Sequence, residues 1–163
     1  MNIAPAASGP QSESVGFQSQ ILVRFADCDY ARMVFYPRYL VMFNNLVEDW
    51  FAAALHLPFS ELHAKREWGI PTVHLEVDFL APSFLGDVLQ SALVVTSVGR
   101  SSFSLTITLR GADGKERIRG KVVLVLMELG RNRSRPIPDD LRANILKFMI
   151  QPPVEDKSNE GRK

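Results

Sequence analysis

The stretch that decides the fold runs from residue 24 to residue 55 and reads RFADCDYARMVFYPRYLVMFNNLVEDWFAAAL. Pro37 follows a turn, and proline suits the first position of a helix because its missing N–H is not needed there. Beyond Pro37, apolar side chains recur every three or four residues, which predicts one broad apolar face on a long helix. Its members are Leu40, Phe43, Leu46, Val47, Trp50, Phe51 and Ala54.

Strand patterns surround this helix. Residues 72–80 alternate strictly, with Val73, Leu75, Val77 and Phe79 on one face and His74, Glu76 and Asp78 on the other. GADGK at residues 111–115 predicts a hairpin turn. Further strands are predicted at 19–25, 87–98, 102–110 and 117–129, and further helices at 59–66 and 139–149. A long apolar helix followed by four antiparallel strands predicts an α+β domain.

Length and composition limit the classes of function. The 163 residues suit one domain, which we place at 18–151 between polar tails at 1–17 and 152–163 that we expect to be disordered. A net charge of +1 argues against a dedicated nucleic-acid binder. The single cysteine, the lack of a signal peptide and the lack of a long apolar run predict a cytoplasmic protein without a membrane partner.

Residues 24–39 also carry a motif, in which an Asp-x-Asp pair, an aromatic pair and a helix-starting proline fall at fixed spacing. This segment resembles the signature of the 4-hydroxybenzoyl-CoA thioesterase family of hotdog proteins. The matching residues are Asp27, Cys28, Asp29, Ala31, Val34, Phe35, Tyr36, Pro37 and Tyr39. The resemblance implies a hotdog fold, in which a five-stranded antiparallel sheet wraps a long central helix.

The parts of this motif suit thioester chemistry. A helix N-terminus offers unpaired N–H groups and the positive end of a dipole, which would stabilise negative charge developing on a thioester carbonyl. A carboxylate on the preceding loop can attack that carbonyl or deprotonate a water that does so. The resemblance assigns the carboxylate role to Asp29 and carbonyl polarisation to the backbone N–H of Tyr36. Whether Asp29 is nucleophile or general base stays open.

The resemblance also implies a substrate and an assembly. The substrate would be an acyl-CoA, either aromatic such as 4-hydroxybenzoyl-CoA or short-to-medium aliphatic, and coenzyme A would be part of it rather than a separate cofactor. The chain would form a homodimer or homotetramer with its active sites at the dimer interface. The residues expected to contact substrate are Arg32, Phe35, Pro37, His74 and Arg100.

The choice of Arg32 and Arg100 depends on how this sequence compares with the family. Arg32 stands where the family usually has glycine, so the loop conformation is expected to differ locally, and its guanidinium is a candidate for a phosphate or carboxylate contact. Arg100 lies in a turn that carries a basic cluster in the aromatic-acyl enzymes. Arg131, Arg133 and Arg135 form a further basic run that is either solvated surface or a contact for CoA phosphates.

Other side chains have plainer interpretations. Asp27 is expected to be structural, and Glu48 to face solvent. His56 and His63 are expected at the surface, and the three histidines lack metal-ligand spacing, so no metal site is predicted. Cys28 has no histidine nearby in sequence, which argues against a cysteine nucleophile.

Two alternative functions stay open. A hydratase or dehydratase acting on acyl thioesters would need a histidine paired with a carboxylate, for which His74 is the candidate. A non-catalytic acyl-CoA binding module would not need Asp29, and no second domain is evident that would respond to binding.

Overall fold

The computed structural model describes residues 16–150. The strands are β1 (Phe17–Leu22), β2 (Trp68–Gly69), β3 (Thr72–Phe79), β4 (Val88–Val98), β5 (Ser102–Arg110), β6 (Glu116–Val125), β7 (Met127–Glu128) and β8 (Arg133–Ser134). The helices are α1 (Tyr36–Ala53), α2 (Phe59–Ala64) and α3 (Asp139–Leu146), and Phe25–Asp27 forms a single 3₁₀ turn. None of the helices in the described part of the chain combines the length and apolar character needed to span a bilayer.

Five strands form one antiparallel sheet in the order β1-β4-β5-β6-β3, which confirms the predicted α+β architecture. The long helix α1 packs on this sheet through the apolar face predicted from its spacing, and Tyr39 and Met42 widen that face. Trp50 and Phe51 are completely buried and pack against Phe103 of β5. The helix is therefore the core element around which the sheet closes.

The contact between α1 and the sheet is closest at Gly120. A Cβ atom added to this glycine would collide with the ring of Phe43, because that ring rests directly on the β6 backbone. Glycine at this position lets the helix approach the middle of the sheet.

Strand β3 forms one edge of the sheet and pairs only with β6 among the described strands. The predicted alternation is present, but both faces of β3 are largely exposed, and only Val77 is half-buried. An eight-residue edge strand with Val73, Leu75 and Phe79 in solvent is a template for pairing with another strand.

Several predicted boundaries were wrong. Phe17, placed in the N-terminal tail, belongs to β1, where it pairs with Leu93. The strand predicted at 19–25 ends at Leu22, because the chain turns into the 3₁₀ helix at Phe25. Pro37 is the second helical residue rather than the first. The remaining predicted tail residues, 1–15 and 152–163, lie outside the described residues.

The strand predicted at 117–129 is divided in two. β6 ends at Val125, the buried Leu126 donates its N–H to the carbonyl of Ser101, and the chain then enters β7. Here β7 pairs with β2 and β8 in a small second sheet that the sequence did not predict. α3 is also shorter than predicted: after Leu146 the chain turns, and Met149 bridges to Val95 of β4.

The sheet has two distinct ends. The β1–β4 and β3–β6 registers place Leu22 with Val88 and Phe79 with Ile118 at one end, beside the start of α1. The opposite end carries the turn between β4 and β5. The 11 residues of β4 separate the two ends by on the order of 35 Å.

Candidate active site

The loop that precedes α1 is held by Asp27. This buried carboxylate accepts the backbone N–H of Arg24 at 2.8 Å and pairs with the Arg38 guanidinium at 2.9 Å. Arg38 also donates its Nε–H to the same carboxylate oxygen at 3.1 Å. Asp27 therefore ties the 3₁₀ turn to the first turn of α1, as its predicted structural role requires.

Asp29 lies two residues further on and is exposed. Its Oδ1 accepts the N–H of Ala31 at 2.8 Å, while its backbone N–H donates to the carbonyl of Met33 at 3.1 Å. The Asp29 carbonyl accepts the N–H of Arg32 at 2.9 Å. Within residues 16–150, Oδ2 of Asp29 has no hydrogen-bond partner, so one carboxylate oxygen is available to a reactant.

The start of α1 is fixed relative to this loop. The N–H of Phe35 donates to the carbonyl of Asp27 at 2.9 Å, and the N–H of Val34 donates to the carbonyl of Ser83 at 2.9 Å. Tyr36 is the first helical residue, and its N–H has no partner in the described part of the chain. The helix thus presents a free N–H at its positive end, next to the loop of Asp29.

Asp29 and Arg32 line the same cleft of about 790 Å³. The other lining residues are Phe25, Cys28, Tyr30, Phe84 and Leu85. Tyr30 is fully exposed and Phe25 nearly so, which leaves two aromatic rings uncovered beside a carboxylate. These aromatic walls were not predicted, because an exposed aromatic in a loop has no sequence pattern that distinguishes it from a buried one.

Arg32 adopts a φ of 66°, in the left-handed region that arginine rarely occupies. The backbone of Arg32 therefore takes a conformation that suits glycine. We expected the arginine to change the conformation of the loop at this position, and its φ angle shows no such change. Arg32 forms no ion pair or hydrogen bond through its side chain with another residue of the described range. Its guanidinium is left for a ligand of the cleft or for solvent.

Cys28 lines the cleft but is a poor nucleophile. Burial raises the pKa of its thiol, and the negative charges of Asp27, Asp29 and Asp87 raise it further. A higher pKa leaves less thiolate at neutral pH, and the thiolate is the reactive form. This result agrees with the sequence-based argument against cysteine catalysis.

A second, largely apolar pocket of about 460 Å³ runs beside α1. It is lined by Leu40, Phe43, Asn44, Val47, Phe59, His63, Gly69, Ile70, Pro71, Thr72, Leu75, Ile107, Val122, Leu124 and Leu129. Leu40 lies one helical turn beyond Tyr36, so the pocket begins close to the free N–H and continues along the helix.

The remaining predicted substrate contacts are divided between the two ends of the sheet. Phe35 and Pro37 lie beside Asp29 at the start of α1, and Phe35 stacks edge-on against Tyr36 at 5.3 Å. His74 is exposed on β3 and pairs in register with Val123, towards the opposite end. In one chain, therefore, His74 is not brought to Asp29, and it has no carboxylate partner within residues 16–150.

Arg100 lies at the far end of the sheet from Asp29, in the turn after β4. Its carbonyl accepts the N–H of Ile137 at 2.9 Å, and its side chain is exposed. In the nearby basic run, Arg131 and Arg133 pair with Glu128, and the Arg135 guanidinium stacks 3.7 Å above the Trp68 ring. Since these three arginines already have neighbours within the chain, the run is not a free cluster of positive charge.

His63 is exposed, as predicted, and it also lines the apolar pocket. Its Nδ1 lies 2.7 Å from the carbonyl of Trp68. No sequence signal shows the pocket contact, because it depends on the packing of α2 against β2. Glu48 is likewise exposed on α1, as predicted.

Comparisons with known proteins agree on one family. The sequence matches the family described as Thioesterase-like superfamily over residues 23–145. A 1,4-dihydroxy-2-naphthoyl-CoA hydrolase from Synechococcus elongatus is 30% identical over 127 residues, which cover 77% of this chain and 92% of that protein.

Two solved structures have the same fold. A 1,4-dihydroxy-2-naphthoyl-CoA thioesterase from Synechocystis superposes with a TM-score of 0.73 at 25% identity, covering 79% of this chain and 94% of the other. A gentisyl-coenzyme A thioesterase superposes with a TM-score of 0.72 at 25% identity, covering 79% of this chain and 99% of the other.

A hotdog sheet around a central helix, with a carboxylate loop before the helix N-terminus, defines the class of hotdog-fold thioester hydrolases. The chain belongs to the thioesterase-like superfamily. The predicted fold, family and CoA thioester hydrolase class are thereby confirmed.

Proposed function

We propose that this protein hydrolyses an aromatic acyl-CoA thioester to the free acid and coenzyme A, with Asp29 as the catalytic carboxylate. The proposal rests on two groups that have no hydrogen-bond partner and lie on neighbouring segments. Oδ2 of Asp29 and the N–H of Tyr36 are both without partners in the described chain, and they stand on adjoining segments that hydrogen bonds fix to each other.

The reaction needs these two groups and a water. The Tyr36 N–H donates a hydrogen bond to the thioester carbonyl oxygen and stabilises the oxyanion that forms there. In one route Asp29 removes a proton from water, and the resulting hydroxide attacks the carbonyl carbon. In the other, Asp29 attacks directly, and water then hydrolyses the acyl-enzyme anhydride. Both routes break the C–S bond and release coenzyme A as a thiol after it takes up a proton.

An aromatic acyl group fits the apolar pocket beside α1. Its walls combine aliphatic side chains with Phe43 and Phe59, and its volume of about 460 Å³ accommodates a ring system. The named relatives act on 1,4-dihydroxy-2-naphthoyl-CoA or gentisyl-CoA, whose acyl groups are both aromatic. The substrates of these relatives favour an aromatic acyl group over an aliphatic one.

The proposed active unit is a homodimer joined along β3, and a homotetramer would be a pair of such dimers. Antiparallel pairing of two β3 edges about a two-fold axis brings the Asp29 end of one sheet towards the His74 end of the other. The same pairing moves Arg100 of one copy towards the other copy's cleft, where Arg32 already stands. CoA phosphates would then meet arginines from two chains. A cytoplasmic location suits this CoA-dependent chemistry.

A panel of CoA thioesters tests the proposal. Purified protein is mixed with benzoyl-, 4-hydroxybenzoyl-, 1,4-dihydroxy-2-naphthoyl-, butyryl- and octanoyl-CoA, and released thiol is followed with a chromogenic disulfide. We expect the highest kcat/KM among the aromatic substrates. Preferential hydrolysis of the aliphatic thioesters would contradict the aromatic assignment, and absence of thiol release from every substrate would contradict the function itself.

A further inference from the structure

The protonation state of one ring nitrogen in the apolar pocket can be deduced from its partner. Nδ1 of His63 lies 2.7 Å from the backbone carbonyl of Trp68, and a carbonyl oxygen can only accept a hydrogen bond. Nδ1 must therefore carry the hydrogen. In the neutral imidazole, Nε2 is then the unprotonated nitrogen, with a lone pair available to a donor.

His63 is exposed and lines the pocket, and the chain occupies only the Nδ1 side of its ring with a hydrogen bond among the described residues. Phe59 packs edge-on against the imidazole at 5.0 Å between ring centroids, and the Trp68 carbonyl occupies the Nδ1 side. No residue of the described range donates to Nε2. Most of the pocket lining is aliphatic or aromatic, and its other polar side chains are those of Asn44 and Thr72. A fixed acceptor in an apolar wall is a selective feature, since few ligand groups can satisfy it.

We propose that His63 is a specificity-determining residue that accepts a hydrogen bond from a ring hydroxyl of the acyl group. This inference rests on the proposed function, because it assumes that the pocket beside α1 holds the acyl ring. A hydroxylated ring satisfies Nε2 when it enters the pocket. A ring without that hydroxyl displaces water from Nε2 and forms no hydrogen bond in its place. Such a substrate is therefore disfavoured.

The test compares substrates that differ only in ring hydroxylation. Benzoyl-CoA and its 2-, 3-, 4-hydroxy and 2,5-dihydroxy derivatives are assayed with wild type and with His63→Asn. The asparagine amide nitrogen can take the place of Nδ1 and still donate to Trp68, but no atom replaces Nε2. We expect wild type to prefer one hydroxylated substrate over benzoyl-CoA. In His63→Asn the ratio of kcat/KM for that hydroxylated substrate to kcat/KM for benzoyl-CoA should fall about tenfold.

A second histidine supplies the matched control. His56 is exposed, does not line the pocket and has a φ of 54°, which asparagine tolerates, so His56→Asn should leave the preference unchanged. An unchanged preference in His63→Asn, or an equal loss on all substrates, would overturn the inference while leaving the proposed function intact. If wild type hydrolysed none of the benzoyl series, this inference would fail, and the wider panel of CoA thioesters would decide the proposed function separately.

Discussion

The carbonyl of Asp27 accepts the N–H of Phe35 at 2.9 Å, and this hydrogen bond closes the loop that carries Asp29 onto the residue preceding α1. This hydrogen bond joins the backbone just before Asp29 to the backbone just before α1. It therefore fixes the distance between the loop and the helix N-terminus. Two aspartates only two residues apart thereby have different environments. Donors surround the carboxylate of Asp27, whereas one carboxylate oxygen of Asp29 has no hydrogen-bond partner within residues 16–150.

Replacing Asp27 should affect stability. In Asp27→Asn the carboxylate charge opposite Arg38 is lost, and we expect the free energy of unfolding to fall by about 1–3 kcal/mol, a range that allows for the partial exposure of Arg38. Urea denaturation followed by tryptophan fluorescence measures this change. Asp49→Asn, at an exposed position of α1, is the control. Equal midpoints for the two variants would show that Asp27 does not hold the loop.

Replacing Asp29 should affect turnover. We expect Asp29→Asn to lower kcat by about two to four orders of magnitude, because an amide can neither accept the proton of water nor act as a comparable nucleophile. The Michaelis constant and the melting temperature should stay close to those of wild type. Glu48→Gln, another exposed carboxylate, should retain full activity. Activity of Asp29→Asn within tenfold of wild type would remove Asp29 from the mechanism.

The left-handed backbone of Arg32 allows its side chain to be tested without disturbing the loop. Glycine adopts a φ of 66° without strain, so Arg32→Gly should change the free energy of unfolding by less than about 1 kcal/mol. If the guanidinium contacts CoA, the Michaelis constant should rise severalfold for acyl-CoA and stay unchanged for the matching N-acetylcysteamine thioester, which lacks phosphates. An unchanged Michaelis constant for acyl-CoA would show that the Arg32 guanidinium does not contact CoA.

The single cysteine reports on the charge of Asp29. Burial and the three neighbouring aspartates raise the pKa of Cys28, so removing one negative charge should lower that pKa and increase the thiolate fraction at pH 8. We therefore expect iodoacetamide to label native Asp29→Asn faster than native wild type. In guanidinium chloride the two proteins should react at nearly equal rates, because the high salt concentration screens the charge of Asp29 and the thiol is no longer buried. Slower labelling of the native variant would contradict this sign.

The exposed edge of β3 predicts assembly. Light scattering should give a mass that is at least twice the 18.3 kDa of the chain. Val73→Arg introduces a long charged side chain on this edge strand and should shift the protein towards monomer, with loss of activity. Leu146→Arg, at a similarly exposed residue of α3, should leave the assembly unchanged. A monomer mass for wild type at the assay concentration would refute the dimer.

Much of this architecture follows from local patterns. The spacing of Leu46, Trp50 and their neighbours predicts α1, and the alternation in β3 and β5 predicts sheet strands, because burial of one face imposes these periods. The motif around Asp29 predicts the loop and the helix start together. These features depend on residues that are close in sequence.

The features that were not predicted depend on distant contacts. The end of β6 is set by Leu126 meeting Ser101, and β2 is only two residues long, too short for any period to appear. The position of His63 in the pocket depends on Trp68. Which end of the sheet holds Arg100 follows from strand register, which a sequence does not display directly.

The contact between Phe43 and Gly120 makes the apolar pocket beside α1 resistant to gradual evolutionary change. Phe43 is a wall of the pocket, yet its ring also fills the space above a residue that has no side chain. Truncating Phe43 alone would leave a void over the sheet, and enlarging Gly120 alone would displace the helix. Each change is harmful without the other, so the two positions are epistatic. A descendant with a differently shaped pocket would have to acquire both substitutions, transferring volume from the helix to the strand.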